Sequence, residues 1–200
     1  RSIIRTGLYV VAVSAIGLVA TIDPQLNGVA FGISMALLGV GMGLIASQLG
    51  NVVQSSVDGS GRSEAGGLQY TAQQLGSALG VALIGAIVLT GLVNTFVKDV
   101  SNDKSISKET AAQVSTEVSK GVSFVSADQV ADAADAAGLP PDEADAVVDH
   151  YEDSQIEALK AGLLAAAAIA LVSLAFTRGL PTRRPTDALA PSPTGVNTAD

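Results

Sequence analysis

Seven side chains that can hydrogen-bond but carry no charge stand at helical spacing in two of the most apolar stretches of this chain. Gln48, Asn51 and Gln54 recur every three residues, Gln69 and Gln73 are four apart, and Tyr70 and Gln74 occupy the adjoining face. Residues three and four apart share one side of an α-helix, so each set forms a stripe. Their chemistry is the exchange of hydrogen bonds with water or a polar solute. An amide in hydrocarbon is costly unless paired or wet, so the stripes are expected to face a bundle interior or a water-filled cavity. The headgroup layer at a helix end is the other environment that would satisfy them.

The elements that carry these stripes are set by where charge is missing. Of 200 residues, 48% are hydrophobic and only 15% are charged, against about 25% in an average soluble domain. Half of the chain lies in four charge-free windows, Thr6 to Ile22, Pro24 to Val57, Ala65 to Val97 and Ala161 to Thr177. Each reaches the roughly 17 to 25 residues that a helix needs to cross about 30 Å of hydrocarbon. The expected fold is therefore an all-α membrane protein with four transmembrane helices, at about 6–22, 28–50, 67–92 and 161–177. Asp23-Pro24 ends the first. The polar turn Asp58 to Glu64 joins the second and third into an antiparallel hairpin.

Residues 98–160 hold fourteen acids and five lysines and cannot be buried in lipid. They carry helix punctuation instead. A helix from about Ser107 to Lys120 ends at Gly121; Ser126 with Gln129 forms a capping box before Val130; Gly138-Leu-Pro-Pro141 stops that helix. Pro141, Asp142 and Glu143 suit the first turn of another, which runs through Val147, Tyr151 and Ile156 into the last span. The segment reads as a small helical cap. Arg1, Arg5, Arg62, Arg178, Arg183 and Arg184 all fall on the opposite side, which marks that side and both termini as cytoplasmic and the cap as extracytoplasmic. The proline-rich tail 178–200 is expected to be disordered.

Several functions are excluded by what the sequence lacks. With no cysteine and one histidine, thiolate chemistry and a histidine-rich metal site are ruled out, and a net charge of -8 argues against nucleic acid. No catalytic dyad, triad or phosphate loop is present, so neither an enzyme nor a cofactor is expected. No Asp, Glu, Lys, Arg or His lies inside a span; a titrating proton carrier has to lie outside these residues. Asp23 reads as an interfacial helix stop and His150 as a solvated surface histidine. Gly39 and Gly43, and Gly76 and Gly80, are small residues four apart that let helix backbones approach, so the second and third spans are expected to be packed and the first and last to face lipid.

The run Ser47-Gln-Leu-Gly-Asn-Val-Val-Gln-Ser-Ser-Val57 followed by Glu64-Ala-Gly-Gly-Leu-Gln-Tyr-Thr-Ala-Gln-Gln-Leu-Gly-Ser-Ala-Leu-Gly-Val-Ala-Leu-Ile-Gly85 resembles the major facilitator superfamily. Within it the chain is similar to the fourteen-helix drug:proton antiporters of the EmrB/QacA type, through Gln74-Leu75-Gly76 and Gly80-Val81-Ala82. The segments Lys120-Gly-Val-Ser-Phe-Val-Ser126 and Ala137-Gly-Leu-Pro-Pro141 resemble the long loop before the last helix in a bacterial subset of that family. The resemblance implies that these are the last four of fourteen helices in a fragment whose proton-coupling carboxylates lie elsewhere. It also implies that the second and third helices line or gate a central cavity. The implied activity is proton-driven export of drugs or other small lipophilic or cationic compounds across the cell membrane, with membrane lipid, substrate, protons and the remaining helices as partners. The competing expectation is a non-transporting membrane protein whose cap binds a partner.

Overall fold

The structure, a computed structural model, describes residues 2–23, 27–119 and 124–177. They form six α-helices, α1 (Ser2–Thr21), α2 (Gly28–Gln54), α3 (Arg62–Asn102), α4 (Lys108–Ser119), α5 (Ala127–Ala136) and α6 (Pro141–Phe176), with one 3-10 turn at Gly59–Gly61 before α3. No strand occurs among the described residues. Helices α1, α2, α3 and α6 are long and apolar enough to cross a membrane. The chain is thus all-α, with the signature of a membrane-embedded protein. The tail 178–200 and the end of the helix expected at Gly121 lie outside the described residues.

Two helices are much longer than hydrocarbon requires. At 41 and 36 residues, α3 and α6 are about 60 and 54 Å long. Nothing breaks α3 where its apolar window ends, because Lys98, Asp99 and Ser101 follow with neither glycine nor proline. Helix α6 opens on Pro141, with Asp142 and Glu143 in its first turn, where a missing N–H costs nothing and acids complement the helix dipole. Just before it, α5 ends in a Schellman motif. Gly138 has φ +72, and Gly138 N–H and Leu139 N–H donate to the Asp135 and Ala134 carbonyls. At the other end of α5, the Ser126 and Gln129 side chains cap each other's backbones.

The long helices stand in an open row, α3 beside α6, α6 beside α1, α1 beside α2. This order departs from expectation in two ways. Helices α2 and α3 share little contact, so the turn between them does not close a packed hairpin. The helices expected to face lipid, α1 and α6, are also the inner members of the row, while α2 and α3 are its ends.

The glycines explain the order. A Cβ on Gly7 would lie 2.8 Å from Ile45 Cγ1, and one on Gly41 would lie 2.8 Å from Val11 Cγ2, so α1 and α2 meet through these two residues. A Cβ on Gly162 would come within 2.6 Å of Val88 Cγ2, so α6 and α3 are in close contact at Gly162. By contrast Gly39, Gly43, Gly76 and Gly80 have nothing within 4 Å of the Cβ position. No described residue packs at their Cβ positions; spacing shows that a close approach is allowed, not that a neighbour supplies it. The buried Ser14 hydroxyl is satisfied within its own helix. Ser14 Oγ donates to the carbonyls of Val10 and Val11 at 2.8 and 3.0 Å, so it needs no partner from another helix.

Candidate functional site

The seven amide and phenol side chains lie at the adjoining ends of α2 and α3. Asn51, Gln54, Tyr70, Gln73 and Gln74 are exposed and Gln48 and Gln69 half-buried. Because α2 and α3 diverge, the two stripes are not brought into one cluster, and none of the seven side chains has a hydrogen-bond partner among the described residues. Their surroundings are apolar and equally uncovered. Leu68, Leu75, Leu79 and Val81 are each at least 60% exposed, so most of this half of α3 is uncovered.

A second constellation is built in the cap, where α3 and α6 continue beyond their apolar windows and α4 and α5 pack onto them. Leu92, Phe96 and Val100 form one stripe of α3, and Val147, Tyr151 and Ala158 one stripe of α6; with Ile106 these make a contiguous apolar core. The Phe96 and Tyr151 rings meet edge to face with centroids 5.4 Å apart. The Tyr151 hydroxyl receives the Val125 N–H at 3.0 Å and donates to the Val125 carbonyl at 3.2 Å. Gln155 Nε2 adds a 2.6 Å bond to that same carbonyl. One residue before α5 is thereby tied to α6 on both sides of its peptide.

His150 is not a solvated surface histidine. Its Nε2 lies 2.7 Å from Asp103 Oδ2, with both side chains about one-quarter exposed, and the pair joins the end of α3 to α6. Spacing carries no hint of it, since 47 residues separate the partners. The one local signal is Asp103 two residues before Ser105 at a helix end, an Asx-turn pattern. The Ser105 hydroxyl and N–H both donate to the Asp103 carboxylate, at 2.6 and 2.7 Å. These bonds, and then His150, hold its pKa at about 2 against an ordinary 3.8. Glu143 is likewise held below its ordinary value, first by the Thr110 hydroxyl and also by Ser107.

A depressed carboxylate sets a direction with pH. The folded cap binds the Asp103 proton more weakly than the unfolded chain does, so its contribution is complete above about pH 3.8 and is lost as pH falls toward about 2. In an acid titration followed by amide exchange in the first turns of α6, Asp103→Asn is expected to be the less stable chain near neutrality. The difference should shrink over that same interval. A difference that stays constant down to pH 2 would show that the carboxylate is not held in this way.

Asp23, just past α1, is paired with Lys160 at 3.0 Å, and Asp23 is 62% exposed. An exposed pair of this kind contributes about 0 to 1 kcal/mol; it marks the level at which α1 ends beside α6. No group of three His, Asp or Glu side chains is placed to hold a metal among the described residues. Comparison with protein-family models, curated proteins and solved structures finds no match to this chain.

Proposed function

We propose that this chain is the C-terminal four-helix part of a proton-driven efflux transporter, of the fourteen-helix drug:proton antiporter type within the major facilitator superfamily, exporting drugs or other small lipophilic or cationic compounds. On this reading it is not an enzyme. It sits in the cytoplasmic membrane with both ends of the segment inside and the cap outside, and the coupled protons are carried by carboxylates of helices beyond these 200 residues. The observation that carries the reading is the set of unpartnered amides on the uncovered half of α3. Hydrocarbon cannot satisfy Gln69, Gln73 and Gln74, and no described residue hydrogen-bonds to their side chains, so a wet cavity between α3 and further helices is the environment that suits both the amides and the leucines. The glycines Gly39, Gly43, Gly76 and Gly80, free of neighbours here, are then where those further helices come close.

Gln73→Leu in the full-length transporter tests this. Loss of one hydrogen bond of about 1 kcal/mol to a polar substrate group corresponds to about a fivefold fall in its efflux, with protein abundance unchanged. A cysteine at position 73 should react with a membrane-impermeant thiol reagent from the cytoplasmic side. Normal efflux of every substrate together with an unreactive cysteine would place Gln73 in the headgroup layer. That outcome would overturn the cavity assignment; the second reading, a non-transporting membrane-anchored protein whose cap binds a partner, instead expects no efflux from the intact protein at all.

A further inference from the structure

The cap contains a cavity of about 340 Å³ between α4 and α5. Its walls follow from side-chain length. Val114 and Val118 of α4 face Ala133 and Ala134 of α5 and its C-cap Ala137, with Val125 between the helices. Methyl groups on α5 are too short to close the gap, and α4 leans on α3 rather than on α5. Val125 cannot fall inward, because Tyr151 and Gln155 hold its backbone against α6. Gln113 and Gln129 are the neutral polar groups of the lining.

We propose that this cavity is a binding site for a small lipophilic molecule, uncharged or singly cationic, about the size of a substituted bicyclic aromatic. An apolar cavity of about 150 Å³ already holds benzene, and ligand sites of about 300 Å³ and above typically combine apolar walls with a few polar groups. Among the described residues no lysine, arginine or histidine lines it, and Glu117 does. The surrounding cap carries fourteen acids against five lysines, and α5 alone presents Asp128, Asp132 and Asp135. That field draws cations toward the cavity and repels anions. The site is separate from the polar stripes and does not rest on the transport reading.

The chain has no cysteine, so single introduced cysteines report cleanly. Ala137→Cys lies on the cavity wall, and Ala136→Cys is its exposed neighbour outside the lining. The 200-residue chain in lipid nanodiscs is alkylated with a hydrophilic maleimide, at low salt, with three matched probes: naphthylmethyl-trimethylammonium, naphthalenemethanol and naphthylmethanesulfonate. At about four times their Kd the cation and the alcohol are expected to slow alkylation of Ala137→Cys about fivefold. The sulfonate should leave it unchanged, and no probe should slow Ala136→Cys. Absence of protection by both the cation and the alcohol, or equal protection of Ala136→Cys, overturns the site. Equal protection by the sulfonate overturns its charge preference.

Discussion

Gly162→Leu is expected to force α3 and α6 apart and to destabilise the four-helix unit by about 1–3 kcal/mol, the cost of overpacking a close contact. The clash is with Val88 Cγ2, 2.6 Å from the new Cβ, with Ile84 Cγ2 at 3.6 Å behind it. A β-branched valine in a helix has essentially one rotamer and cannot swing away. A Cβ at Gly76 or Gly80 meets no described residue within 4 Å, and Gly76→Leu and Gly80→Leu should change the stability of the isolated unit by less than about 0.5 kcal/mol. Denaturant unfolding of the three variants in one detergent measures the contrast. On the proposed transporter reading, the second pair should become damaging too in the full-length protein, where further helices would approach them. Equal tolerance of all three in the isolated unit would mean that α6 does not approach α3 at Gly162.

Tyr151→Ala should open the cap while leaving the four spans helical. The ring is almost fully buried, at 3% exposure, and removing a buried aromatic side chain costs about 3–5 kcal/mol. The same change orphans the Val125 N–H and strips one donor from its carbonyl. Tyr151→Phe keeps the edge-to-face contact with Phe96 and loses only the hydroxyl, a smaller loss of about 1–3 kcal/mol for the unsatisfied groups. Hydrogen exchange in α4 and α5, compared with exchange in α1 and α2, separates the cap from the spans. Unchanged protection in α5 after Tyr151→Ala would show that the tie to Val125 does not hold the cap together.

The helices themselves were readable because each signal is local. Charge-free length marked the four apolar helices, and Ser126 with Gln129 marked the start of α5. Neighbours were not readable, because contact between distant residues leaves no periodic trace. Gly162 and Gly80 look alike in sequence, each a small residue in an apolar run, yet one touches Val88 and the other touches nothing. His150 and Asp103 likewise give no spacing to read. At the polar stripes the helical faces could be derived from residue spacing. Their separation onto diverging helices follows from the row order that Gly7, Gly41 and Gly162 impose.

The unbroken run of α6 from cap to span has a mechanical consequence. Its first twenty residues, Pro141 to Lys160, project about 30 Å from the start of the apolar window as a stiff arm. With no hinge along α6, a change in span tilt of about 10°, well within the spread seen for membrane helices, would carry the far end about 5 Å sideways. Helix α3 runs antiparallel beside it and is clasped to it by Phe96 against Tyr151 and by Asp103 against His150. The two arms therefore swing together, and the cap becomes a pointer that magnifies small motions of the spans. Torque runs in both directions along such a rod, so whatever loads the cap also loads the tilt of α6.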